Sequence, residues 1–375
     1  FGRSFSDHMF LMNYTEGKGW HDGRIVPYAP LELDPSCMVL HYAQEVFEGM
    51  KAYRWEDGSI HLFRPYENAK RMQNSNERLC MPAVPEETFV EAIKELVAVD
   101  AEWVPHNPGT SLYIRPFIFA VDPHVGVHPA KHLLFVVILS PVGAYYPQGL
   151  NPVNIVVETK YVRAVKGGMG FAKTAGNYAA SLKAQDEAEK MGYTQVLWLD
   201  GIHHKYIDEV GAMNVFFVID GEIITPTLEN GNILPGVTRD SAIPLLRSWG
   251  YKVSERLLSI DEIREAADNG KLDEAFVSGV KALAEEKDML IIIDEVQTGN
   301  GRSGHLYAFQ GYGVTPDVMT TAKGLGGGLP IGATLFGERV ADVYSPGMHG
   351  STFGGNPVCC AGALNVLNRI DDELL

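Results

Sequence analysis

Three Asp-Gly pairs constrain the fold of this chain, because Asp-Gly is a favoured sequence for the tight turn of a β-hairpin. Asp57-Gly58, Asp200-Gly201 and Asp220-Gly221 each separate two runs that are rich in apolar or β-branched residues. A hairpin joins antiparallel strands, so we expect antiparallel sheet around the last two pairs. This pattern excludes a doubly wound nucleotide-binding fold for that part of the chain.

The first part of the chain mixes short strands with helices. Strands are predicted over residues 38–42, 47–54, 59–63, 112–121 and 133–139, and helices over 65–79 and 85–98. Residues 141–152 contain three prolines and two glycines and are predicted to connect two domains. We therefore expect a small α/β domain over residues 1–147 and a second, larger domain from residue 153.

The second part continues with a strand over residues 154–158 and a helix over 178–190, with Asn177 as its N-cap and Gly192 as its stop. Another helix is predicted over 240–249. The Pro235-Gly236 turn leads into it and would present free backbone N–H groups at which a phosphate could bind. An ordinary helix start would account for the same turn.

Composition excludes several classes of partner. The chain has 375 residues and a net charge of −16, which argues against nucleic acid and anionic membranes, since phosphate groups are bound by clustered Lys and Arg. No apolar run approaches the length of a membrane span. Cys37, Cys80, Cys359 and Cys360 show no metal-ligand spacing, so no metal is expected. We expect a cytoplasmic protein that binds small molecules.

Residues 167–178 place one lysine, Lys173, among glycines and small or apolar residues. Three of the first four residues lack a Cβ, so the backbone can pass close to a ligand or adopt positive φ. A lysine with little water around it has a lowered pKa and becomes a nucleophile towards carbonyl groups. The alternative is a glycine-rich loop whose lysine extends to solvent.

A pyridoxal phosphate enzyme needs such a lysine together with a carboxylate for the pyridine nitrogen and donors for the phosphate. Glu209 is predicted to open the strand that follows the first of the two later hairpins. It is either a buried carboxylate that faces a cation or a solvated glutamate at a strand end.

Several motifs occur together and in order: His41-Tyr42, Glu45-Val46-Phe47-Glu48-Gly49, Arg71-Met72, Arg115-Pro116, Lys173-Thr174-Ala175-Gly176-Asn177-Tyr178, Glu209-Val210-Gly211 and Leu234-Pro235-Gly236-Val237-Thr238-Arg239. From residue 1 to about residue 279 this series resembles the branched-chain amino acid aminotransferases, which are pyridoxal phosphate enzymes of fold type IV. The resemblance implies an α+β fold with antiparallel-rich sheets, a large domain over residues 153–279, a cofactor site between the two domains and a homodimer.

The resemblance also implies roles for individual residues. Lys173 would form the Schiff base with pyridoxal 5'-phosphate and move a proton between the substrate Cα and the cofactor C4′. Glu209 would keep the pyridine nitrogen protonated, and Tyr178 would hydrogen-bond to the phenolic oxygen of the ring. The phosphate would be held by Arg71 and by the backbone N–H groups of Val237 and Thr238.

On the substrate side the resemblance implies Tyr42, Phe47, Tyr113, Arg115 and Tyr145. An aromatic, mostly uncharged pocket suits Leu, Ile and Val, since each buried CH₂ is worth about 0.8 kcal/mol. The implied reaction transfers the amino group of these amino acids to 2-oxoglutarate in two half-reactions. Ordinary core packing would account equally well for Phe47 and Tyr113.

The resemblance changes after Gly279. The motifs at residues 290–299, 321–330 and 350–357 resemble class III aminotransferases of fold type I, nearest to acetylornithine aminotransferase. Residues 280–375 are therefore predicted to be an α/β fragment of that class and the chain to be a chimera. In this fragment Asp294 would face the pyridine nitrogen from a buried parallel strand, Gln297 would approach the ring oxygen, Lys323 would form the Schiff base and Thr352 would reach a partner's phosphate. The alternative functions are an acetylornithine-type enzyme that uses Lys323 and a catalytically silent chimera.

Overall fold

The computed structural model describes residues 2–107, 109–143, 153–269, 271–273, 290–296, 298–301, 305–311, 314–341 and 356–370. The chain divides into two compact units, Phe1–Lys271 and Leu272–Leu375. The predicted connection at residues 141–152 falls within the first unit, and residues 144–152 lie outside the described ones. The predicted domain boundaries near residues 147 and 279 stay predictions.

The first unit begins with a large antiparallel sheet. Its strands are β1 (His8–Thr15), β2 (Gly19–Pro27), β3 (Glu45–Phe47), β4 (Met50–Arg54), β5 (Ile60–Leu62), β6 (Ser111–Ala120) and β7 (His132–Val142). Their order is β2-β1-β7-β6-β4-β5, and β3 also pairs with β6. Successive side chains of β6 point to opposite faces, so Ile114 and Ile118 enter one apolar cluster while Phe117 and Phe119 enter another.

Two helices cover one face of this sheet. Residues Pro65–Arg78 form α2 and residues Glu86–Val99 form α3, which confirms both predicted helices. Met72 of α2 and Ile93 of α3 are buried in the same core as the inner residues of the sheet. A short helix α1 (Met38–Tyr42) precedes them in the chain, and a 3-10 turn at Ala101–Trp103 follows α3.

The rest of the first unit contains mixed sheets and further helices. The strands are β8 (Ile155–Val157), β9 (Gln195–Leu199), β10 (Ile207–Val210), β11 (Phe217–Ile219), β12 (Glu222–Pro226) and β13 (Lys252–Arg256), and the helices are α4 (Ala175–Lys190), α5 (Val237–Ser248) and α6 (Ile260–Asp268). β9 is antiparallel to β10 and parallel to β8, while β12 is antiparallel to β11 and parallel to β13. This arrangement is the predicted α+β architecture.

The two later Asp-Gly pairs behave differently. At Asp220-Gly221 both residues have positive φ and Ile219 pairs with Glu222, so the predicted two-residue turn is confirmed. At Asp200-Gly201 a longer connection forms, because Leu199 pairs with Ile207. The Asp200 carboxylate organises that connection by accepting backbone N–H groups from Ile202, His203, Lys205 and Tyr206.

Two further predictions about elements are wrong. Residues 38–42 are helical rather than extended. The helix ends at Ala43, which has positive φ, and at its start the Met38 N–H donates to the Asp122 carbonyl. Asn177 is not the N-cap of α4, which begins earlier, after Thr174. Its side-chain amide instead donates to the carbonyls of Met169 and Ala172 and closes the preceding loop.

The second unit contains β14 (Leu272–Asp273), β15 (Ile292–Asp294), β16 (Val318–Thr321), β17 (Ala333–Phe336), helices at Ala308–Gly311 and Pro357–Leu367, and 3-10 turns at Lys323–Gly326 and Glu338–Val340. β16 is parallel to β15 and antiparallel to β17. The prediction of a buried strand at Asp294 is wrong, since both Ile292 and Asp294 of β15 are exposed. The predicted join near residue 279 lies outside the described residues.

Within the part of the chain that the structure describes, no helix combines the length and the apolar character that crossing a membrane requires. Among the same residues, no group of three or more His, Cys, Asp or Glu side chains could hold a metal ion.

The glycines of residues 167–178 have separate physical roles. Gly167 adopts a positive φ of 79°. Gly170 packs directly against the backbone carbonyl of Asn232, and a Cβ there would also lie 2.7 Å from the Cβ of Ala164. The absence of a side chain at Gly170 therefore allows its backbone to pack against the backbone of Asn232, and not against a ligand.

Replacing Gly170 by Ala should lower the free energy of unfolding by about 1–3 kcal/mol, because an extra methyl group is forced into a closed contact. Gly176→Ala is the matched control, since its Cβ would meet only the terminal methyl of Met169 at 3.2 Å. The control should be neutral or should stabilise α4 by up to about 1 kcal/mol. Urea unfolding of both variants measures the difference, and equal stabilities would contradict this account of Gly170.

Candidate active site

Lys173 lies in a short extended segment that two distant elements hold in place. Its backbone N–H donates to Ser75 Oγ of α2 at 2.9 Å, and its carbonyl accepts the N–H of Phe47 in β3 at 3.0 Å. Thr174 extends this pairing, because its hydroxyl donates to the Glu45 carbonyl at 2.7 Å. The lysine backbone is therefore fixed by residues that are about a hundred or more positions earlier in the chain.

The side chain of Lys173 is held against two aromatic rings. Its Nζ donates to Tyr178 Oη at 2.9 Å and lies 4.8 Å from the centroid of the Phe47 ring. Burial lowers the pKa of Lys173, and the neighbouring Arg71 lowers it further while Glu48 opposes the shift. Burial also raises the pKa of Tyr178, to about 12, and the Glu209 carboxylate adds to this. Lys173 is thus a half-buried lysine with a lowered pKa, and its role as the Schiff-base residue stays a prediction.

Lys173 lines two adjoining cavities that share Lys51, Tyr113, Lys173 and Ala212 in their walls. One has a volume of about 530 Å³ and is lined by Phe47, Tyr113, Arg115 and Tyr178; we name it the aromatic lobe. The other has a volume of about 600 Å³ and is lined by Arg71, Asn214, Val237 and Thr238; we name it the helix-end lobe. Their shared wall places the lysine where a ligand could occupy both.

Arg71 reaches the helix-end lobe from α2. Its Nε and Nη2 donate to the two carboxylate oxygens of Glu48, each at 2.8 Å, and its Nη1 donates to the Pro235 carbonyl at 3.1 Å. Although burial opposes the charged form, the hydrogen bonds and charge of Glu48 raise the pKa of Arg71. The guanidinium is therefore a charged and oriented group at the edge of the lobe.

Val237 and Thr238 are the first two residues of α5, directly after its N-cap Gly236. The first N–H groups of a helix have no partner within the helix and carry partial positive charge. Both residues line the same lobe as Arg71, so the structure brings these three predicted cofactor residues together.

Glu209 is buried inside β10, the return strand of the first later hairpin, and does not open a separate strand as predicted. One carboxylate oxygen accepts the Leu234 N–H at 3.0 Å and the Asn214 amide at 3.2 Å, and the other lies 3.1 Å from Arg163 Nε. Burial raises the pKa of Glu209, and Arg163 opposes the shift. Glu209 is thus a buried carboxylate that faces a cation, and the alternative of a solvated glutamate is wrong.

Several charged residues of the site were not predicted from the sequence, among them Glu48 and Arg163. Glu48 lies within one of the family motifs, and Arg163 lies outside all of them. Arg163 also donates to the Asn232 carbonyl, and its side chain is 7% exposed. Both residues act through partners distant in the chain, so no local pattern in the sequence marks them. Beside them, burial raises the pKa of Asp208 to about 7, and the charge of Arg163 opposes the rise.

Three predicted substrate residues meet at the aromatic lobe. Arg115 donates from Nη2 to Tyr113 Oη at 2.9 Å, and its guanidinium carbon lies 4.5 Å from the centroid of the Phe47 ring. Gly49 makes room for this arrangement, because a Cβ there would lie 2.5 Å from Tyr113 Oη. Phe47 and Tyr113 are therefore cavity residues and not only core residues.

The other two predicted substrate residues are Tyr42 and Tyr145. Tyr42 lies in α1, is 37% exposed and does not line either lobe. Tyr145 lies outside the described residues, so its role stays a prediction. The structure adds Lys51 to both lobes and Glu45 to the aromatic lobe. Burial raises the pKa of Glu45, and the charge of Arg115 opposes the shift.

The second unit presents its predicted residues differently. Asp294 accepts the Thr320 hydroxyl at 2.7 Å and the Val296 N–H at 3.1 Å, and these hydrogen bonds lower the pKa of Asp294. Lys323 is exposed and begins a 3-10 turn with positive φ. Gln297 and Thr352 lie outside the described residues. Neither described residue has the burial that distinguishes Lys173 and Glu209.

The sequence of this chain is similar to those of known aminotransferases. The Amino-transferase class IV family model matches residues 45–280. The chain is 55% identical to branched-chain-amino-acid aminotransferase 2 of Bacillus subtilis (strain 168) over 307 residues, which are 82% of this chain and 84% of that protein. The chain belongs to the branched-chain aminotransferase family.

Solved structures of this family are also similar to the chain. The branched-chain amino acid aminotransferase of Escherichia coli is 28% identical with a TM-score of 0.59, and the match covers 68% of this chain and 79% of that one. The branched-chain aminotransferase of the archaeon Thermoproteus uzoniensis with norvaline is 25% identical with a TM-score of 0.60, over 70% of this chain and 81% of that one. A third structure, a branched-chain amino acid aminotransferase with pyridoxamine 5'-phosphate, is 28% identical with a TM-score of 0.58, over 68% of this chain and 79% of that one. These matches confirm fold type IV.

A second family model matches the end of the chain. The Aminotransferase class-III model covers residues 269–375, so the two family models overlap only at residues 269–280. The resemblance of the final segment to class III aminotransferases is therefore supported independently of the first part of the chain.

In the cofactor-free protein, Lys173 should be half-labelled by an acylating reagent at a lower pH than the exposed Lys183. Burial lowers the pKa of Lys173, so its reactive neutral form persists at lower pH. Competitive acetylation across a pH series, followed by peptide mass spectrometry, measures the half-labelling pH of both lysines in one sample. An equal or higher value for Lys173 would contradict its desolvation.

Proposed function

We propose that the chain is a pyridoxal 5'-phosphate-dependent transaminase that transfers the amino group of Leu, Ile and Val to 2-oxoglutarate. The observation that carries the proposal is Lys173, a half-buried lysine with a lowered pKa, in the wall shared by the helix-end lobe and the aromatic lobe. The curated relatives named for branched-chain amino acids support the substrate class.

The residues present fit the cofactor chemically. A phosphorylated pyridine aldehyde needs an amine, a carboxylate and anion donors within one cavity. Lys173 supplies the amine, and the charged Arg71 and the start of α5 supply donors in the helix-end lobe. Glu209 supplies a buried carboxylate with a raised pKa, which a cation facing it would stabilise in the ionised form. It lines a smaller cavity of about 20 Å³ that shares Tyr178 and Ala212 with the aromatic lobe.

When bound, the cofactor supplies an electron-withdrawing ring and an aldehyde carbon that accepts the amino group. Arg71 and the N–H groups of Val237 and Thr238 would hold its phosphate. Glu209 would hold the ring nitrogen in its protonated form, with Arg163 fixing the carboxylate at 3.1 Å. Tyr178 Oη would hydrogen-bond to the ring oxygen.

Lys173 has two tasks in this proposal. Its Nζ would hold the cofactor between turnovers and, once released, would move a proton between the substrate Cα and the cofactor C4′. Both tasks require a neutral amine at the working pH, and burial of Nζ together with the charge of Arg71 favours that form. The hydrogen bond to Tyr178 Oη keeps Nζ in place at 2.9 Å.

The aromatic lobe would receive the substrate. Phe47, Tyr113 and Tyr178 provide apolar surface for a branched aliphatic side chain, and Arg115 provides a cation suited to a carboxylate. Both partners of the reaction, an amino acid and a 2-oxo acid, carry carboxylates.

The alternative of an acetylornithine-type enzyme that uses Lys323 is not favoured. Lys323 and Asp294 are both exposed, so neither has the low-dielectric surroundings that shift the pKa of Lys173. We infer that residues from about 280 to 375 are a class III fragment joined to a class IV enzyme, which the adjoining family models support. The homodimer and the cytoplasmic location remain predictions from the family resemblance.

Lys173→Ala should abolish leucine-dependent formation of glutamate from 2-oxoglutarate, because the proton-moving amine is lost. Lys323→Ala is the matched control and should retain the activity of the unaltered chain. Circular dichroism of both variants checks that they fold alike. Loss of activity in Lys323→Ala with full activity in Lys173→Ala would reverse the assignment of the two lysines.

Peptide mapping tests the junction of the two family segments. If residues 269–280 join them in one polypeptide, digestion should yield a peptide that spans Gly279 and Val280. Recovery of peptides from both segments in two chains of different mass, with no spanning peptide, would show that the two segments are different chains.

A further inference from the structure

Glu48 is a fully buried carboxylate next to the site, with 0% of its surface exposed. It lies between β3 and β4, where its backbone N–H donates to the Pro116 carbonyl at 2.7 Å. An isolated carboxylate in such a place is costly, so its partners must compensate its charge.

Those partners are Arg71 and Asn68, both of α2. Two parallel hydrogen bonds of 2.8 Å join the Glu48 carboxylate to Nε and Nη2 of Arg71, and the Asn68 amide donates to Glu48 Oε2 at 2.8 Å. The Gly49 N–H adds a further hydrogen bond at 3.2 Å. A bidentate pair of this kind fixes the plane of the guanidinium as well as its position.

The geometry leaves Arg71 with defined donors. A guanidinium has five N–H groups, of which one lies on Nε and two on each terminal nitrogen. Glu48 takes the Nε–H and one N–H of Nη2, and the Pro235 carbonyl takes one N–H of Nη1. One N–H on each terminal nitrogen remains for an incoming phosphate.

Glu48 also affects the charge around Lys173. Arg71 lowers the pKa of Lys173 and Glu48 raises it, so the ion pair presents two opposed charges to the amine. The groups that face this pair from neighbouring elements are Lys173, Tyr178 and Glu209. Without Glu48, the positive charge of Arg71 would act on Lys173 alone.

We propose that Glu48 is a positioning residue for cofactor binding: it holds the Arg71 guanidinium so that one N–H on each terminal nitrogen is available to the cofactor phosphate. The inference rests on the proposed function, because it assumes that Arg71 contacts that phosphate. If Glu48 had only a structural role, its loss would weaken binding of the whole cofactor. In this proposal its loss weakens binding of the phosphate and not of the ring.

The test compares pyridoxal 5'-phosphate with pyridoxal, which lacks the phosphate, as ligands of the cofactor-free full chain. In Glu48→Gln the dissociation constant for pyridoxal 5'-phosphate should rise about tenfold or more, since an oriented, charge-assisted contact is lost. The dissociation constant for pyridoxal should change much less, because the effect of Glu48 on the charge of Lys173 is common to both ligands. Glu67→Gln is the matched control, because Glu67 is also on α2, has 37% of its side chain exposed and pairs with Lys70 there; it should alter neither value.

A second variant keeps the test decisive if Glu48→Gln does not fold. Glu48→Asp retains the charge but is one CH₂ shorter, so it should weaken pyridoxal 5'-phosphate binding and leave pyridoxal binding unchanged. In an Arg71→Ala background, replacing Glu48 should add no further loss of phosphate-dependent affinity.

Three outcomes would overturn the inference. Equal weakening for both ligands would show a structural role only, unchanged affinities would show no role, and tighter binding of pyridoxal 5'-phosphate would show that the negative charge of Glu48 opposes the phosphate. If the unaltered chain bound pyridoxal 5'-phosphate normally, such results would leave the proposed function intact. If the unaltered chain bound none, the proposed function and this inference would fail together.

Discussion

The site depends on one arrangement: the backbone of Lys173 is hydrogen-bonded to β3 and α2, and its amine lies against the Tyr178 hydroxyl and the Phe47 ring. This pairing joins the loop before α4 to elements of the first sheet and so creates the wall that the two lobes share. Phe47 takes part twice, because its backbone anchors the lysine while its ring packs near the amine and the Arg115 guanidinium. The lowered pKa of this lysine therefore follows from the packing around it.

The charges around this lysine are organised as buried pairs. Arg71 with Glu48 and Arg163 with Glu209 each place a guanidinium beside a carboxylate whose surface is almost entirely covered. Such pairs are costly to desolvate and contribute little net stability compared with apolar packing. Their value is geometric, since each holds a charged group in a fixed orientation.

In the second unit, the motifs that contain Asp294 and Lys323 are present but their side chains are exposed. Its strands β15 and β16 are parallel, and Asp294 lies at the end of β15 with Lys323 just beyond β16. In this chain both side chains are exposed, and hydrogen bonds to Thr320 and Val296 keep Asp294 readily ionised. A lysine and a carboxylate in the right order along the chain do not make a site unless other residues remove water from them.

The sequence by itself determined the elements whose signals are local: helices α2 and α3, the Asp220-Gly221 hairpin and the antiparallel-rich character of the first unit. It also marked Lys173, Glu209 and Arg71 as candidate site residues, because each lies in a short motif that resembles the family. The tertiary structure alone decided that residues 38–42 form a helix, that Gly170 packs on Asn232, and that Glu48 and Arg163 hold Arg71 and Glu209. These features depend on contacts between residues far apart in the chain, and local propensity carries no information about such contacts.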